Sequence, residues 1–133
     1  MMDTHEQQVR TWSMLCHFAA LASLFFPLGN IIGPFVVWQI KKNELPEIDE
    51  HAKESLNFQL TILLITVVFF IALFGTLGFG VLVGNPFSMI AGGLGFGLLL
   101  FFIRLISWVL VIVAGVKANN GEMYRYPSIR FIR

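Results

Sequence analysis

From Ser55 to Val116 this chain carries a single charged residue, Arg104, and from Trp12 to Ile40 it carries none. Uncharged apolar runs of about 18 residues or more read as membrane spans. The lipid interior offers backbone groups no water, so such runs must fold as helices that satisfy their own hydrogen bonds. The composition agrees: the 133 residues are 56% hydrophobic and 13% charged, against roughly 25% charged in a soluble domain. A soluble all-α protein with so little polar surface is excluded on these grounds. Asp3 and Glu6 in the polar head, with no small-residue cleavage site after the first apolar segment, argue against a signal peptide. Cys16 is the only cysteine, so no intrachain disulfide is expected. A net charge of +1 gives no sign of nucleic-acid binding.

The expected fold is an all-α integral membrane helical bundle, a single domain with four hydrophobic segments. Met1–Arg10 reads as a polar head. Trp12–Phe26 is apolar, and Pro27, Gly29, Asn30, Gly33 and Pro34 then break the run before Ile31–Ile40 resumes it. Fifteen helical residues reach about 22 Å and ten about 15 Å, short of a core of about 30 Å. Residues 12–40 are therefore either one kinked span or a broken hairpin of short helices. The hairpin is preferred because it sets Trp12 and Trp38 at one interface. Residues 41–57 form a loop and a helix start, with Asp49 and Glu50 at the positive end of the helix dipole. Residues 58–116 form a long transmembrane hairpin turning at Gly84-Asn85-Pro86, and 117–133 form a basic, aromatic tail.

Basic residues outside the spans fall at Arg10, Lys41, Lys42, Lys53, Lys117, Arg125, Arg130 and Arg133, with none in the Gly84–Phe87 turn; the hairpin puts Arg10 on the side of the others and the kinked span puts it opposite. The loop and the tail lie on one side of the long hairpin, and the positive-inside rule makes that side cytoplasmic. This predicts a multi-pass protein of a bacterial inner (plasma) membrane with a cytoplasmic C-terminus. The loop carries three basic and five acidic residues, the tail four basic and one acidic. Either the two pair, or Lys117, Arg125, Arg130 and Arg133, with Tyr124 and Tyr126, meet anionic lipid headgroups, each charge contributing about 1 kcal/mol there.

Several polar residues need an explanation. Arg104 at mid-span costs about 2.5–3.5 kcal/mol on an insertion scale, so it either snorkels or meets a polar cavity or a second subunit. His17 and Asn30 lie in apolar segments, and His17 suits an interhelical hydrogen bond. Glu50, His51, Glu54, Asn57 and Gln59 line the start of the long hairpin. Glu47, His51 and Glu54 have loose metal-ligand spacing, but one histidine without a second ligand-bearing helix is better read as a solvated helix start. Gly80 with Gly84 and Gly93 with Gly97 have the small-xxx-small spacing of close helix contact, within the hairpin or between copies. No phosphate loop, dinucleotide fingerprint, zinc motif or nucleophile elbow occurs, so no cofactor, no metal and no enzyme activity are expected.

The run of His17, Gly33-Pro34 with Trp38, Asp49-Glu50-His51-Ala52-Lys53-Glu54-Ser55-Leu56-Asn57-Phe58-Gln59, Lys117-Ala118-Asn119-Asn120-Gly121-Glu122 and Tyr124-Arg125-Tyr126-Pro127 resembles a family of small prokaryotic membrane proteins of unknown function. That family is similar to the Tic-twenty component of the chloroplast inner-envelope import machinery. The resemblance spans nearly the whole chain from Trp12. It implies a four-helix membrane domain and no particular activity, and it does not account for the Gly75–Gly97 stretch or Arg104. The expected function is a non-enzymatic scaffold or accessory subunit of a membrane complex, in translocation or quality control, partnered by lipids and by its own copies or another membrane protein. The alternative is an oligomeric small channel or transporter.

Overall fold

A computed structural model describes residues 3–24 and 28–132. Pro27 and Arg133, both singled out above, lie outside these residues. The described chain is helical, without a strand. It comprises α1 (Thr4–Phe18), a 3-10 segment (Ala19–Leu24), α2 (Gly29–Lys41), a 3-10 turn (Pro46–Ile48), α3 (Asp49–Val83) and α4 (Pro86–Asn119). The expected short broken pair and long pair are both present.

The N-terminal pair differs from expectation in its boundaries. The polar head is not a separate segment, because α1 begins at Thr4 with Asp3 as its N-cap, accepting a 2.7 Å hydrogen bond from the Glu6 amide. The residues expected to break the chain, Gly29, Asn30, Gly33 and Pro34, all lie within α2. Ahead of α2, α1 tightens into the 3-10 segment, and Leu28 takes a left-handed conformation at φ 62°. Gly33 serves a different purpose from breaking a helix: a Cβ there would overlap the carbonyl oxygen of Ala19. Its missing side chain lets α2 lie directly against the 3-10 segment.

The chain divides into two compact units, Met1–Thr61 with Trp108–Arg133, and Ile62–Ser107. The first packs Cys16, Leu45, Ile48 and Ala52 into a core flanked by Val9, Trp12, Val37 and Trp38. A Cβ at Gly115 of α4 would overlap the ring of Phe18, so α1 and α4 also meet closely there. The second unit is the middle of the long hairpin. Its turn places Gly84 at φ +65°, the left-handed position that ends α3. Asn85 then caps α4, its Oδ1 accepting from the amides of Phe87 at 3.1 Å and Ser88 at 3.4 Å.

Both long helices are apolar enough to cross a membrane, and only 11% of the most apolar window of each is buried. The core helix of a soluble protein would be mostly covered. Here Phe74, Leu82, Phe87 and Leu94 stand exposed, a surface that only lipid or another apolar surface can cover.

Candidate functional site

The polar residues of the first unit converge where α3 begins. Its first turns carry Asp49, Glu50, His51, Glu54 and Asn57, ahead of the apolar run that starts at Phe58. After α4 ends, Gly121 turns the chain at φ +82°, and the tail folds back along these turns.

Glu54 is the anchor. It is 2% exposed, accepts a 2.6 Å hydrogen bond from the Tyr126 amide and pairs with the Arg130 guanidinium. Arg125 approaches it at 3.4 Å and Glu50 at 3.5 Å. Desolvating a carboxylate is costly unless its lone pairs are filled, and the tail fills them. One turn on, the Asn57 amide clasps both backbone groups of Ile132. Its Oδ1 accepts from the Ile132 amide at 2.7 Å and its Nδ2 donates to the Ile132 carbonyl at 2.9 Å. Thr61 donates to the Asn57 carbonyl at 2.8 Å and accepts from the Ile129 amide at 3.0 Å. Tyr126 stacks on Phe58, ring centroids 4.3 Å apart. Burial is the main reason its phenol is pushed up and stays neutral.

His17 of α1 joins the same assembly, Nδ1 at 2.9 Å from Tyr126 Oη and Nε2 at 3.2 Å from His51 Nδ1. Two further bonds tie α2 to α3. Asn30 Nδ2 donates to Gln59 Oε1 at 2.9 Å, and Trp38 Nε1 donates to Asp49 Oδ1 at 2.9 Å. The Lys53 ammonium, 2.8 Å from Asp49, holds that carboxyl below its usual range, and the Trp38 bond adds to the effect. A cleft of 380 Å³ opens beside the tie, lined by Glu50, Lys53, Glu54, Asn57, Arg125 and Arg130 among others.

The structure thus brings together His17, Glu50, His51, Glu54, Asn57, Arg125 and Arg130, and sets Asn30 with Gln59. The expectation of a solvated helix start is corrected: Glu54 and Asn57 are buried against the tail, and His51 is half-buried beside His17; Gln59 is buried as well. Tyr126, grouped above with headgroup-facing residues, is buried as well. Lys117 is exposed, its ammonium 5.6 Å above the Tyr124 ring. Among the described residues no three His, Cys, Asp or Glu side chains are placed to hold a metal. Arg104 is half-buried, and among the described residues it makes no ion pair. The glycines divide. A Cβ at Gly80 would come within 2.6 Å of Met89, and one at Gly92 within 2.6 Å of Thr76, so these face the hairpin partner; Gly93 and Gly97 face nothing within 4 Å. The pairing of Thr61 and Asn57 with tail backbone has no signature in side-chain chemistry. Tyr126 as the partner of His17 was in view as a residue but not as a contact, since 109 positions separate them.

Among known proteins, residues 8–132 match the model of the magnetosome magnetite crystal formation protein family (MamF/MmsF). No curated protein and no solved structure matches. This match corrects the likeness to Tic-twenty, which is not supported. The motifs that suggested it, residues 49–59 and 117–127, build the tail tie, and so describe how helices are fastened rather than what the chain handles.

Proposed function

The chain belongs to the magnetosome magnetite crystal formation protein family, and from that premise we propose that it is a non-enzymatic, multi-pass scaffold of the membrane around the growing crystal. The observation that carries this reading is how the polar residues are used. The side chains that would be available for chemistry, Glu54, Asn57, Thr61 and His17, are spent on holding the tail and α1 to α3. Apart from the cleft beside the tie, what remains open is mainly apolar surface along α3 and α4. Copies of the chain associate through that surface, where Gly93 and Gly97 leave room for close helix approach, or it receives another membrane protein. The tail side is cytoplasmic, following the basic residues around it.

Complementation tests the scaffold. Cells lacking the chain should form crystals altered in size or number, and restoring the wild-type chain should restore them, as seen by electron microscopy. Normal crystals without the chain would sink the proposal. The channel reading is separated by reconstitution: a scaffold gives no ion flux in vesicles, whereas a flux altered by Arg104→Leu would favour the pore.

A further inference from the structure

Rings from three elements meet inside the first unit: His17 of α1, His51 of α3 and Tyr126 of the tail. The His17 and His51 rings stand edge to face at 5.5 Å. A neutral imidazole offers one donor and one acceptor, and an imidazolium offers two donors. Among the described residues the Tyr126 hydroxyl has one partner, His17. Leaving a buried hydroxyl hydrogen without an acceptor is costly, so Tyr126 donates to His17 Nδ1. That fixes the proton of His17 on Nε2, from which it donates to His51 Nδ1, and leaves the proton of His51 on its own Nε2. One choice at the tail sets the tautomer of both histidines.

We propose that this chain of three rings is a proton-responsive latch, in which a proton taken up at His51 Nδ1 loosens the hold of α1 on the tail at Tyr126. The added proton sets N–H against N–H across the 3.2 Å gap to His17. His17 relieves this clash by giving its Nε2 proton to solvent and taking one from solvent on Nδ1, its own charge unchanged. His17 then accepts from His51 and donates to Tyr126 Oη, and the phenolic hydrogen loses its acceptor. The change weakens the hold on a tail residue whose amide is bound to Glu54.

The groups facing His51 set when this happens. Helix α3 supplies Glu50 and Glu54, which is held by Arg130, and the 3-10 turn before it supplies Glu47, which is held by His5. Helix α1 supplies His17. The tail supplies Arg125 and Tyr126, with Tyr124 packed against Tyr126. Burial lowers the affinity of His51 for a proton, Glu50 raises it and Arg125 lowers it again, leaving His51 below its ordinary range. The latch is therefore closed at neutral pH and opens on acidification below about 6.5.

Hydrogen exchange on the full chain in lipid nanodiscs tests this, at pH 8 and pH 5.5 and corrected for intrinsic rates. The Tyr126, Ile129 and Ile132 amides should exchange about tenfold faster at the lower pH, the factor that one coupled proton gives per unit. His51→Gln, which cannot take up the proton, should abolish the difference. Equal acceleration in His51→Gln, or none in the wild type, overturns the latch. If that variant does not fold, ring ¹⁵N shifts of the wild type decide. His17 should be an Nε2–H tautomer at pH 8 and lose that signature at pH 5.5; the same tautomer at both overturns the proposal. The latch is independent of the scaffold reading, and either can fail while the other stands.

Discussion

A methyl group at Gly33 has nowhere to go, because the Ala19 carbonyl occupies its place. Gly33→Ala should destabilise the fold by about 1–3 kcal/mol, the usual cost of overpacking, seen as a lower melting temperature in detergent. Glu54→Ala removes the acceptor of the Tyr126 amide and leaves Arg130 without its partner. Breaking a buried pair costs about 3–5 kcal/mol, and the lower end applies because the Arg130 side chain is 38% exposed. Limited proteolysis should then cut within residues 122–132, where the wild type resists. Acid acts at two further residues. His51 lies below its ordinary value, so between the two values the unfolded chain binds more protons. Its contribution is whole above about pH 6.5 and declines as pH falls below that. Asp49 is held below the ordinary 3.8, first by Lys53, so its contribution persists until pH falls under about 4. A pH series of melting curves should show both steps, and His51→Gln should remove the upper one. These residue roles were only partly legible in the sequence. Glu54 and Asn57 stood out as polar residues before an apolar run. Their burial depends on a tail more than 70 positions away, which no local pattern reports.

Helices α3 and α4, of 35 and 34 residues, were the most legible elements, because the long apolar runs within them admit little else. At 1.5 Å per residue each is about 50 Å long, well beyond a core of about 30 Å. The excess at the start of α3 is the polar segment that holds the tail. The N-terminal pair was harder to read. Gly and Pro mark breaks by local propensity, yet Pro34 sits inside α2, and Gly33 answers to packing rather than to chain direction. The glycines of the long hairpin give a sharper test. Gly92→Val should weaken the hairpin, since its Cβ would meet Thr76. Gly93→Val should leave the melting temperature unchanged and reduce crosslinking between copies. The opposite pattern would remove the glycines from any contact between subunits.

For the whole molecule, charge segregation decides the environment. Many apolar positions of α3 and α4 are exposed, while the charged residues other than Arg104 cluster towards the ends of the sequence, in the loop before α3 and in its first turns. This was the most secure expectation from composition alone, and the family match agrees with a membrane protein. The proposed sidedness rests on the same asymmetry. In a Cys16→Ser background, a cysteine replacing Ser128 should react with an impermeant thiol reagent only from the cytoplasmic side. Labelling from the opposite side alone would invert the proposed topology.

The separation between Glu54 and its partners also has a consequence in time. The Tyr126 amide and the Arg130 side chain follow Glu54 by 72 and 76 positions. At roughly 5–20 residues per second, the ribosome delivers them several seconds after Glu54. Throughout that interval α3 enters the membrane with an acidic side chain that nothing yet neutralises. The nascent chain must therefore keep its foot in water until synthesis is nearly done, and a message truncated before codon 126 would yield a protein that inserts but never closes.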